Sequence, residues 1–142
     1  MNVLVTGGAG YVGSHAVAAL QEAGHTPIVI DTLELGDRAA VRDAELVIGD
    51  IADYDLVCRV LEEFKIEAVM HFAAYAEVGE SMDEPMKYYS NNTMATFQLL
   101  NAMLDSAVHT FIFSSTAATY GEPDTVPIPE DIQKTPINVY GH

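Results

Sequence analysis

The sequence has very little positive charge. Its 142 residues include six lysines and arginines against 21 aspartates and glutamates, so the formal net charge is −15. A protein that binds nucleic acid or acidic lipid needs a basic surface to neutralise phosphates, so neither is an expected partner. The acids are scattered along the chain, which argues against an acidic disordered tail. The acidic composition is typical either of a protein adapted to a salt-rich cytoplasm or of an ordinary acidic protein.

Cysteine and long apolar runs are also scarce. The single cysteine, Cys58, cannot form an internal disulfide, and we expect it to be a small buried apolar residue of a helix. No stretch is long and apolar enough to span a bilayer, and Met1 leads directly into a predicted strand. We therefore expect a cytoplasmic protein without a signal peptide, and we predict no metal site.

Strand and helix patterns alternate regularly along the chain. Short apolar runs predict strands at residues 2–5, 27–30, 45–49, 68–72 and 109–113. Nearly continuous apolar strands are typical of a parallel sheet that is covered by helices on both faces. We therefore predict one α/β domain with a doubly wound parallel sheet of about five strands, ordered 3-2-1-4-5.

Helical spacing of apolar residues predicts three amphipathic helices, which follow the first, third and fourth strands. Their predicted apolar faces are Val12, Ala16, Ala19, Leu20 and Ala23; Leu56, Val57, Val60, Leu61 and Phe64; and Met86, Tyr89, Thr93, Phe97, Leu100 and Leu104. Asp53 is placed to cap the second helix, and Pro85 to begin the third. Residues 32–43 are predicted to form a loop with at most a short helix.

A glycine-rich turn, Thr6-Gly7-Gly8-Ala9-Gly10-Tyr11-Val12-Gly13, follows the first strand. The order of strand, glycine turn and helix predicts the first βα unit of a dinucleotide-binding, Rossmann-type fold. The early glycines let the backbone approach a pyrophosphate, and Gly13 lets the helix pack close to the strand. By itself the pattern also fits an ordinary glycine-rich loop. The predicted cofactor-binding residues of this turn are Gly7, Gly10, Tyr11, Val12 and Gly13.

The second strand ends in Asp31, at the distance from the glycine turn where a carboxylate can accept the ribose hydroxyls of NAD. The same charge repels the extra phosphate of NADP, so NAD is the predicted cofactor. The alternative is a loop acid that begins a turn.

Polar and small residues also follow the other strands. Asp50 ends the third strand, Phe72 to Ala74 end the fourth, and Ser114 to Thr116 end the fifth. Ligands of open α/β sheets bind beyond the carboxyl ends of the strands, so these residues would line one crevice. Ala73 and Ala74 would leave room for a flat cofactor, although a tight turn without a ligand fits them too.

Taken together, the motifs resemble those of the extended short-chain dehydrogenase/reductase superfamily, and within it the UDP-hexose 4-epimerases. The resemblance extends from the first residue to the last. The glycine turn is common to many enzymes, whereas Val78–Ser81 combined with the serine–threonine loop is much more specific. The matching segments are Thr6–His15, Asp31, Gly49–Ile51, His71–Ala74, Val78–Ser81, Tyr88–Asn92, Ser114–Gly121 and Tyr140–His142.

The resemblance implies an NAD-dependent isomerase that epimerises a UDP-hexose, UDP-glucose or UDP-galactose, at carbon 4 through a transient 4-keto sugar. Asp31 would hold the adenosine ribose, and Asp50 with Ile51 would flank the adenine. Other cofactor contacts would be Phe72, Ala73 and Ala74 along the cofactor, Asn92 from the long helix, and Ser114 and Tyr140.

Two hydroxyl-bearing residues match the catalytic positions of that family. Tyr140 matches the tyrosine that takes the sugar hydroxyl proton, and Thr116 matches the residue that holds the sugar oxygen. A free tyrosine has a pKa near 10, so positive charge from the nicotinamide and a lysine must lower it. Without the resemblance, Thr116 would be a strand-end hydroxyl bonded to its own backbone, and Tyr140 an aromatic that packs on the sheet.

The chain departs from the family pattern at its end. The expected lysine lies four residues after the tyrosine, beyond His142, and Lys134 precedes the tyrosine in a predicted loop. We therefore expect residues 1–142 to be an NAD-binding domain without its substrate domain, inactive alone and part of a homodimer at full length.

Several alternatives within and outside the enzymes stay open. Dehydratases of the superfamily usually carry an Asp-Glu pair after the threonine, where this chain has Ala117 and Ala118. Another nucleotide-sugar epimerase or a carbonyl reductase remains open, as does a catalytically silent NAD-binding module.

Overall fold

Five parallel strands form a single sheet in the computed structural model, which describes all residues from 1 to 142. The strands are β1 (Asn2–Thr6), β2 (Thr26–Asp31), β3 (Glu45–Ile48), β4 (Ala68–His71) and β5 (Thr110–Phe113). They are ordered β3-β2-β1-β4-β5, and every pairing is parallel. The predicted doubly wound sheet and its strand order are confirmed, and β3 and β5 are the two edges.

Five α-helices surround the sheet: α1 (Tyr11–Glu22), α2 (Tyr54–Glu63), α3 (Val78–Asp83), α4 (Pro85–Tyr88) and α5 (Ala95–Asp105). A π-helical turn, Tyr89–Met94, joins α4 to α5, and short 3-10 helices occupy Arg38–Val41 and Ala117–Tyr120. None of the helices combines the length and the apolar character that crossing a bilayer requires. The helix α3 was not among the helices predicted from the sequence.

The sheet separates two hydrophobic cores, because alternate residues of a strand point to opposite faces. Leu4 of β1 belongs to the larger core, which packs against α2 and α5, whereas its neighbour Val5 belongs to the smaller core beneath α1. Each central strand therefore contributes to both cores. This double burial explains why the strands are nearly continuous apolar runs.

The predicted start and apolar face of α2 are confirmed. The Asp53 side chain accepts a hydrogen bond from the Leu56 amide at 3.0 Å, which caps the helix. Val57, Val60 and Leu61 are buried against the sheet. Cys58 of the same helix is half-buried and packs at the margin of the larger core.

The predicted apolar faces of the other two helices are only partly correct: Leu20 and Leu100 pack against the cores, but most of the other predicted residues do not. In α1 the sheet contacts Gly13 and Val17, while Val12 is 57% exposed. In the long helical segment the exposed side chains include Met86, Phe97 and Leu104, whereas the buried ones are Tyr88, Ala95, Leu99, Ala102 and Met103. Both sets have helical spacing, and in α5 the small alanines are on the buried side, where the helix packs against α2. The π-helical turn also changes the rotation between α4 and α5.

Candidate functional site

Two adjoining clefts lie at the carboxyl ends of the strands. The first, here called the glycine cleft, is lined by Gly7, Gly10, Asp31, Glu34, Asp50, Ile51 and Tyr75 among others. The second, the tyrosine cleft, is lined by His71, Tyr88, Asn92, Ser114, Thr116 and Tyr140 among others. Phe72, Ala73 and Ala74 line both clefts. The structure thus brings most of the predicted site residues to one continuous depression.

The glycine turn packs directly on the loop that follows β4. Gly7 has a φ of +68°, and its amide donates to the Ile30 carbonyl at 2.9 Å. A Cβ on Gly7 would lie 2.6 Å from the Ala73 nitrogen, and one on Gly13 would overlap the Gly7 carbonyl oxygen. Both positions therefore require glycine, for backbone conformation in the first case and for close packing in both.

The start of α1 leaves backbone donors without partners in the helix. Gly10 is the N-cap residue, and no side chain caps the first turn. The amides of Tyr11, Val12 and Gly13 therefore have no intrahelical acceptor. Such a helix start suits an anion such as a pyrophosphate. The side chains of Tyr11 and Val12 are exposed, and Gly13 is buried between helix and strand. None of the three lines either cleft.

Asp31 ties the glycine turn to the end of β2. Its Oδ2 accepts a hydrogen bond from the Ala9 amide, and its Oδ1 accepts one from the Leu33 amide, each at 2.9 Å. The side chain thus stabilises a turn, as the alternative interpretation expected. Each carboxylate oxygen nevertheless keeps a further acceptor position, and the residue lines the glycine cleft.

The far wall of the glycine cleft is formed after β3. Asp50 Oδ1 accepts from the Ala52 amide at 2.8 Å, and Ile51 is 6% exposed and belongs to the larger core. Opposite them, the Tyr75 hydroxyl donates to Glu34 Oε2 at 2.7 Å, which raises the pKa of Tyr75. Neither Tyr75 nor Glu34 was among the predicted site residues, although both follow strands in the predicted topology.

Asn92 holds the loop shared by the two clefts. Its Oδ1 accepts from the Tyr75 amide and its Nδ2 donates to the Tyr75 carbonyl, each at 2.9 Å. Asn92 lies in the π-helical turn, which is a common feature of functional sites. This inward position agrees with the expected ordering role, which stays a prediction.

The tyrosine cleft brings together the two residues predicted to be catalytic. Thr116 Oγ1 accepts from the Ala118 amide at 3.1 Å and caps a 3-10 helix. The Tyr140 amide donates to Oγ of the fully buried Ser81 at 3.2 Å. The Tyr140 ring meets the Tyr88 ring edge-on, with centroids 6.4 Å apart. Ser114 lines the same cleft. The assignment of all these roles stays a prediction.

A polar cluster fastens α3 to α4 beside this cleft. Lys87 Nζ is 2.7 Å from Glu80 Oε1, and the Tyr88 hydroxyl is 2.7 Å from Glu80 Oε2. The hydrogen bond from Lys87 lowers the pKa of Glu80. Burial, followed by the contact with Glu80, raises the pKa of Tyr88 to about 12. Lys87 also lies 4.4 Å above the Tyr75 ring, so its charge is engaged by these groups.

His71, at the floor of the tyrosine cleft, is 2% exposed and lies between two threonine hydroxyls. Burial lowers its pKa to about 4, so the ring is neutral near pH 7. His71 was not among the predicted site residues and appeared only within a matching segment, His71–Ala74. His71 ends an apolar run, Ala68–Met70, that forms a central strand, and this position could have indicated a buried histidine.

Comparison with known proteins identifies the class. Residues 3–142 match the NAD dependent epimerase/dehydratase family, and the chain belongs to this family. It is 52% identical over 142 residues to the UDP-glucose 4-epimerase of Lactobacillus helveticus, covering 99% of this chain and 43% of that protein. It is 51% identical, with the same coverage of both, to the UDP-glucose 4-epimerase of Corynebacterium glutamicum.

Solved structures of UDP-glucose 4-epimerases have the same fold as this chain. The UDP-glucose 4-epimerase of Brucella ovis in complex with NAD superposes with a TM-score of 0.96 at 46% identity, over 99% of this chain and 43% of that one. The Stenotrophomonas maltophila enzyme with bound NAD and formylated UDP-arabinopyranose has a TM-score of 0.96 at 40% identity, over 99% and 44%. The expected family and fold are confirmed, and NAD is the cofactor in the family's description. The chain spans less than half the length of these relatives.

Proposed function

We propose that these 142 residues are the NAD-binding part of a UDP-glucose 4-epimerase, which interconverts UDP-glucose and UDP-galactose. The observation that carries the proposal is the junction of the two clefts at Phe72–Ala74. One cleft has the features of a dinucleotide site, and the other contains the threonine and tyrosine expected for the chemistry. The relatives from Lactobacillus helveticus and Corynebacterium glutamicum, which match 99% of the chain, are UDP-glucose 4-epimerases.

The residues of the glycine cleft, together with the start of α1 that follows Gly10, fit NAD. The free amides at the start of α1 would bind the pyrophosphate, and the remaining acceptor positions of Asp31 would take the adenosine ribose hydroxyls. Asp50 and Ile51 would flank the adenine. The Asp31 charge would oppose the 2′-phosphate of NADP, so the proposed preference is for NAD.

In the tyrosine cleft the proposed reaction is oxidation of the sugar at carbon 4 followed by reduction on the other face. NAD, when bound, supplies a hydride acceptor. The Tyr140 oxygen would take the proton of the 4-hydroxyl group. Because the Thr116 oxygen accepts from the Ala118 amide, its own proton is free to be donated to the sugar oxygen. Positive charge is needed to lower the tyrosine pKa, and the family's lysine would come from residues beyond Tyr140.

We further propose that the full-length protein is a cytoplasmic homodimer. An apolar stripe on the outer side of the long helical segment supports the dimer: Met94, Phe97 and Leu104 are 59%, 57% and 65% exposed. These residues lie near one another along a helix, and a contiguous exposed apolar patch is typical of an interaction surface. Sedimentation of the full-length protein, with Phe97→Glu as the disrupting variant, tests this part.

Calorimetric titration of the 142-residue protein with NAD and NADP tests the cofactor part. We expect NAD to bind and NADP to bind at least tenfold more weakly. Equal affinity would overturn the role of Asp31, and binding of neither would overturn the proposed function. Conversion of UDP-galactose by the full-length protein tests the reaction, with no turnover expected from residues 1–142 alone.

A further inference from the structure

Two of the three buried polar side chains, Thr6 and His71, stand at the centre of a chain of hydrogen bonds. His71 Nδ1 is 2.6 Å from Thr6 Oγ1, and His71 Nε2 is 2.8 Å from Thr96 Oγ1. Beyond them, the Ala73 amide donates to Thr6 Oγ1 at 3.4 Å, and Thr96 Oγ1 donates to the Asn92 carbonyl at 2.7 Å. The chain thus links the end of β1, the end of β4 and the π-helical turn.

The donors and acceptors permit one direction of hydrogen bonding. The single hydroxyl proton of Thr96 points to the Asn92 carbonyl, so the proton between Thr96 and His71 must belong to Nε2. A neutral imidazole then has a bare Nδ1, which accepts the proton of the Thr6 hydroxyl. The Thr6 oxygen in turn accepts from the Ala73 amide. Every polar atom of the chain is satisfied when His71 is neutral with its proton on Nε2.

Both ends of this chain meet the loop that the two clefts share. At one end, the Thr6 hydroxyl oxygen accepts from the Ala73 backbone amide. At the other end, Thr96 binds the backbone carbonyl of Asn92, and the Asn92 side chain binds the backbone N–H and carbonyl of Tyr75. The rings of Phe111 and Phe113 lie beside the imidazole, each with its centroid 5.8 Å from that of the imidazole. Residues 73–75 are therefore fixed from both sides through one imidazole.

We propose that His71, as the Nε2-protonated neutral tautomer, is a positioning residue that sets the 73–75 loop and so aligns the glycine cleft with the tyrosine cleft. The identification of the ligand as NAD rests on the proposed function. A rigid ring with a donor and an acceptor on different edges is what the two threonines require, so a ring without nitrogen cannot replace it.

The sharpest test uses Thr96, a half-buried residue at one end of the series of hydrogen bonds. Two variants of this residue form a matched pair. Thr96→Val removes the hydroxyl at constant shape, and Thr96→Ser keeps it. In the 142-residue protein we expect Thr96→Val to weaken NAD binding about tenfold and Thr96→Ser to restore it. Hydrogen exchange at the Ala73 and Tyr75 amides should accelerate in the first variant and stay unchanged in the second.

His71→Phe and Val57→Ala separate positioning from general stability. Val57 is fully buried in α2 and takes no part in these hydrogen bonds, so its truncation destabilises the fold and leaves the hydrogen bonds to the loop in place. We expect His71→Phe to lose NAD affinity and Val57→Ala to keep it under conditions where both are folded. If His71→Phe does not fold, the Thr96 pair decides the question.

The outcomes distinguish this inference from the proposed function. Unchanged NAD affinity and unchanged amide exchange in Thr96→Val would overturn the positioning role. Nitrogen-15 NMR of the imidazole that finds the proton on Nδ1 would overturn it as well. If the unmodified protein does not bind NAD, the proposed function fails, and the amide exchange of the Thr96 pair still decides whether His71 sets the loop.

Discussion

The glycine cleft and the tyrosine cleft differ in what surrounds them. The glycine cleft opens above β1 and β2, which pair on both sides and whose residues Val5, Val29 and Ile30 are fully buried. The tyrosine cleft lies beside the edge strand β5, where Ile112 and Phe113 are 51% and 57% exposed. The cofactor features thus lie at the most buried part of the sheet, and the predicted catalytic residues lie beside its edge.

The two clefts also differ in how far apart in the sequence their contributing residues lie. The glycine cleft is made by turns directly after strands, and much of its shape is backbone. The tyrosine cleft is assembled by side chains from α3, α4 and the last residues, such as the contact of Ser81 with Tyr140. We therefore expect changes in the glycine cleft to damage folding and binding together, and changes at Thr116 or Tyr140 of the tyrosine cleft to act on the chemistry.

The largest expected effect is that of Gly13→Ala. The new Cβ would overlap the Gly7 carbonyl, so α1 must move away from β1 and the glycine turn must distort. We expect a loss of roughly 3 kcal/mol in the free energy of unfolding, and no NAD binding. Urea unfolding and calorimetry measure the two effects.

Gly79→Ala is the matched control, because a Cβ there meets nothing within 4 Å. It is the second residue of α3, where alanine fits the helical backbone at least as well as glycine. We expect unchanged or slightly increased stability. A Gly13→Ala protein as stable as Gly79→Ala would show that the turn is not tightly packed.

The next largest effect is acid destabilisation through His71. An unfolded histidine has a pKa near 6.5, whereas burial lowers the pKa of His71 to about 4. Between these values the unfolded chain gains a proton that the folded one does not accept. The free energy of unfolding should therefore fall by up to about 3 kcal/mol as the pH decreases from 6.5 to 4, and this contribution should then level off.

Urea unfolding at pH 7, 5.5 and 4.5 measures this effect. His71→Gln should be less stable at pH 7 and should lose the part of the pH dependence that belongs to His71. His109→Gln, at an exposed position beside β5, should keep the pH dependence of the unmodified protein. Identical pH profiles for His71→Gln and the unmodified protein would contradict the prediction.

A smaller effect is expected for Asp31→Ala. The change removes two hydrogen bonds to the Ala9 and Leu33 amides together with the proposed ribose acceptor. NAD binding should weaken by ~1.5–3 kcal/mol, and discrimination against NADP should disappear. Asp37→Ala is the control, since Asp37 accepts one backbone hydrogen bond in the same loop but lines neither cleft. Equal losses in both variants would refute a specific role.

The smallest effect on folding and cofactor binding is expected for Tyr140→Phe. The phenylalanine ring keeps the edge-on contact with Tyr88, and the backbone contact with Ser81 is unaffected. We expect NAD affinity and stability within about 0.5 kcal/mol of the unmodified protein. In the full-length protein the same change should abolish turnover of UDP-galactose, and near-normal turnover would disprove the role of Tyr140 as the base.

Much of the fold was predictable because its signals are local. The strand order followed from five apolar runs separated by helix patterns, and the Asp53 cap followed from one residue at a helix start. The candidate site was predictable where residues directly follow strands, as at Asp31 and Asp50. Hydrophobic spacing could not choose between Tyr88 and Tyr89, because either one continues a helical stripe and the choice depends on which neighbour covers it.

By itself the sequence determined the parallel sheet, the glycine turn and the carboxylate at the end of β2, since each depends on residues close in the chain. The tertiary structure alone decided the burial of Tyr88, the pairing of Thr6 with His71 and the contact of Ser81 with Tyr140. The last two join residues separated by 65 and 59 positions, respectively. Such contacts form because the parallel crossovers bring strand ends and helices to one edge of the sheet, where buried polar groups must find partners.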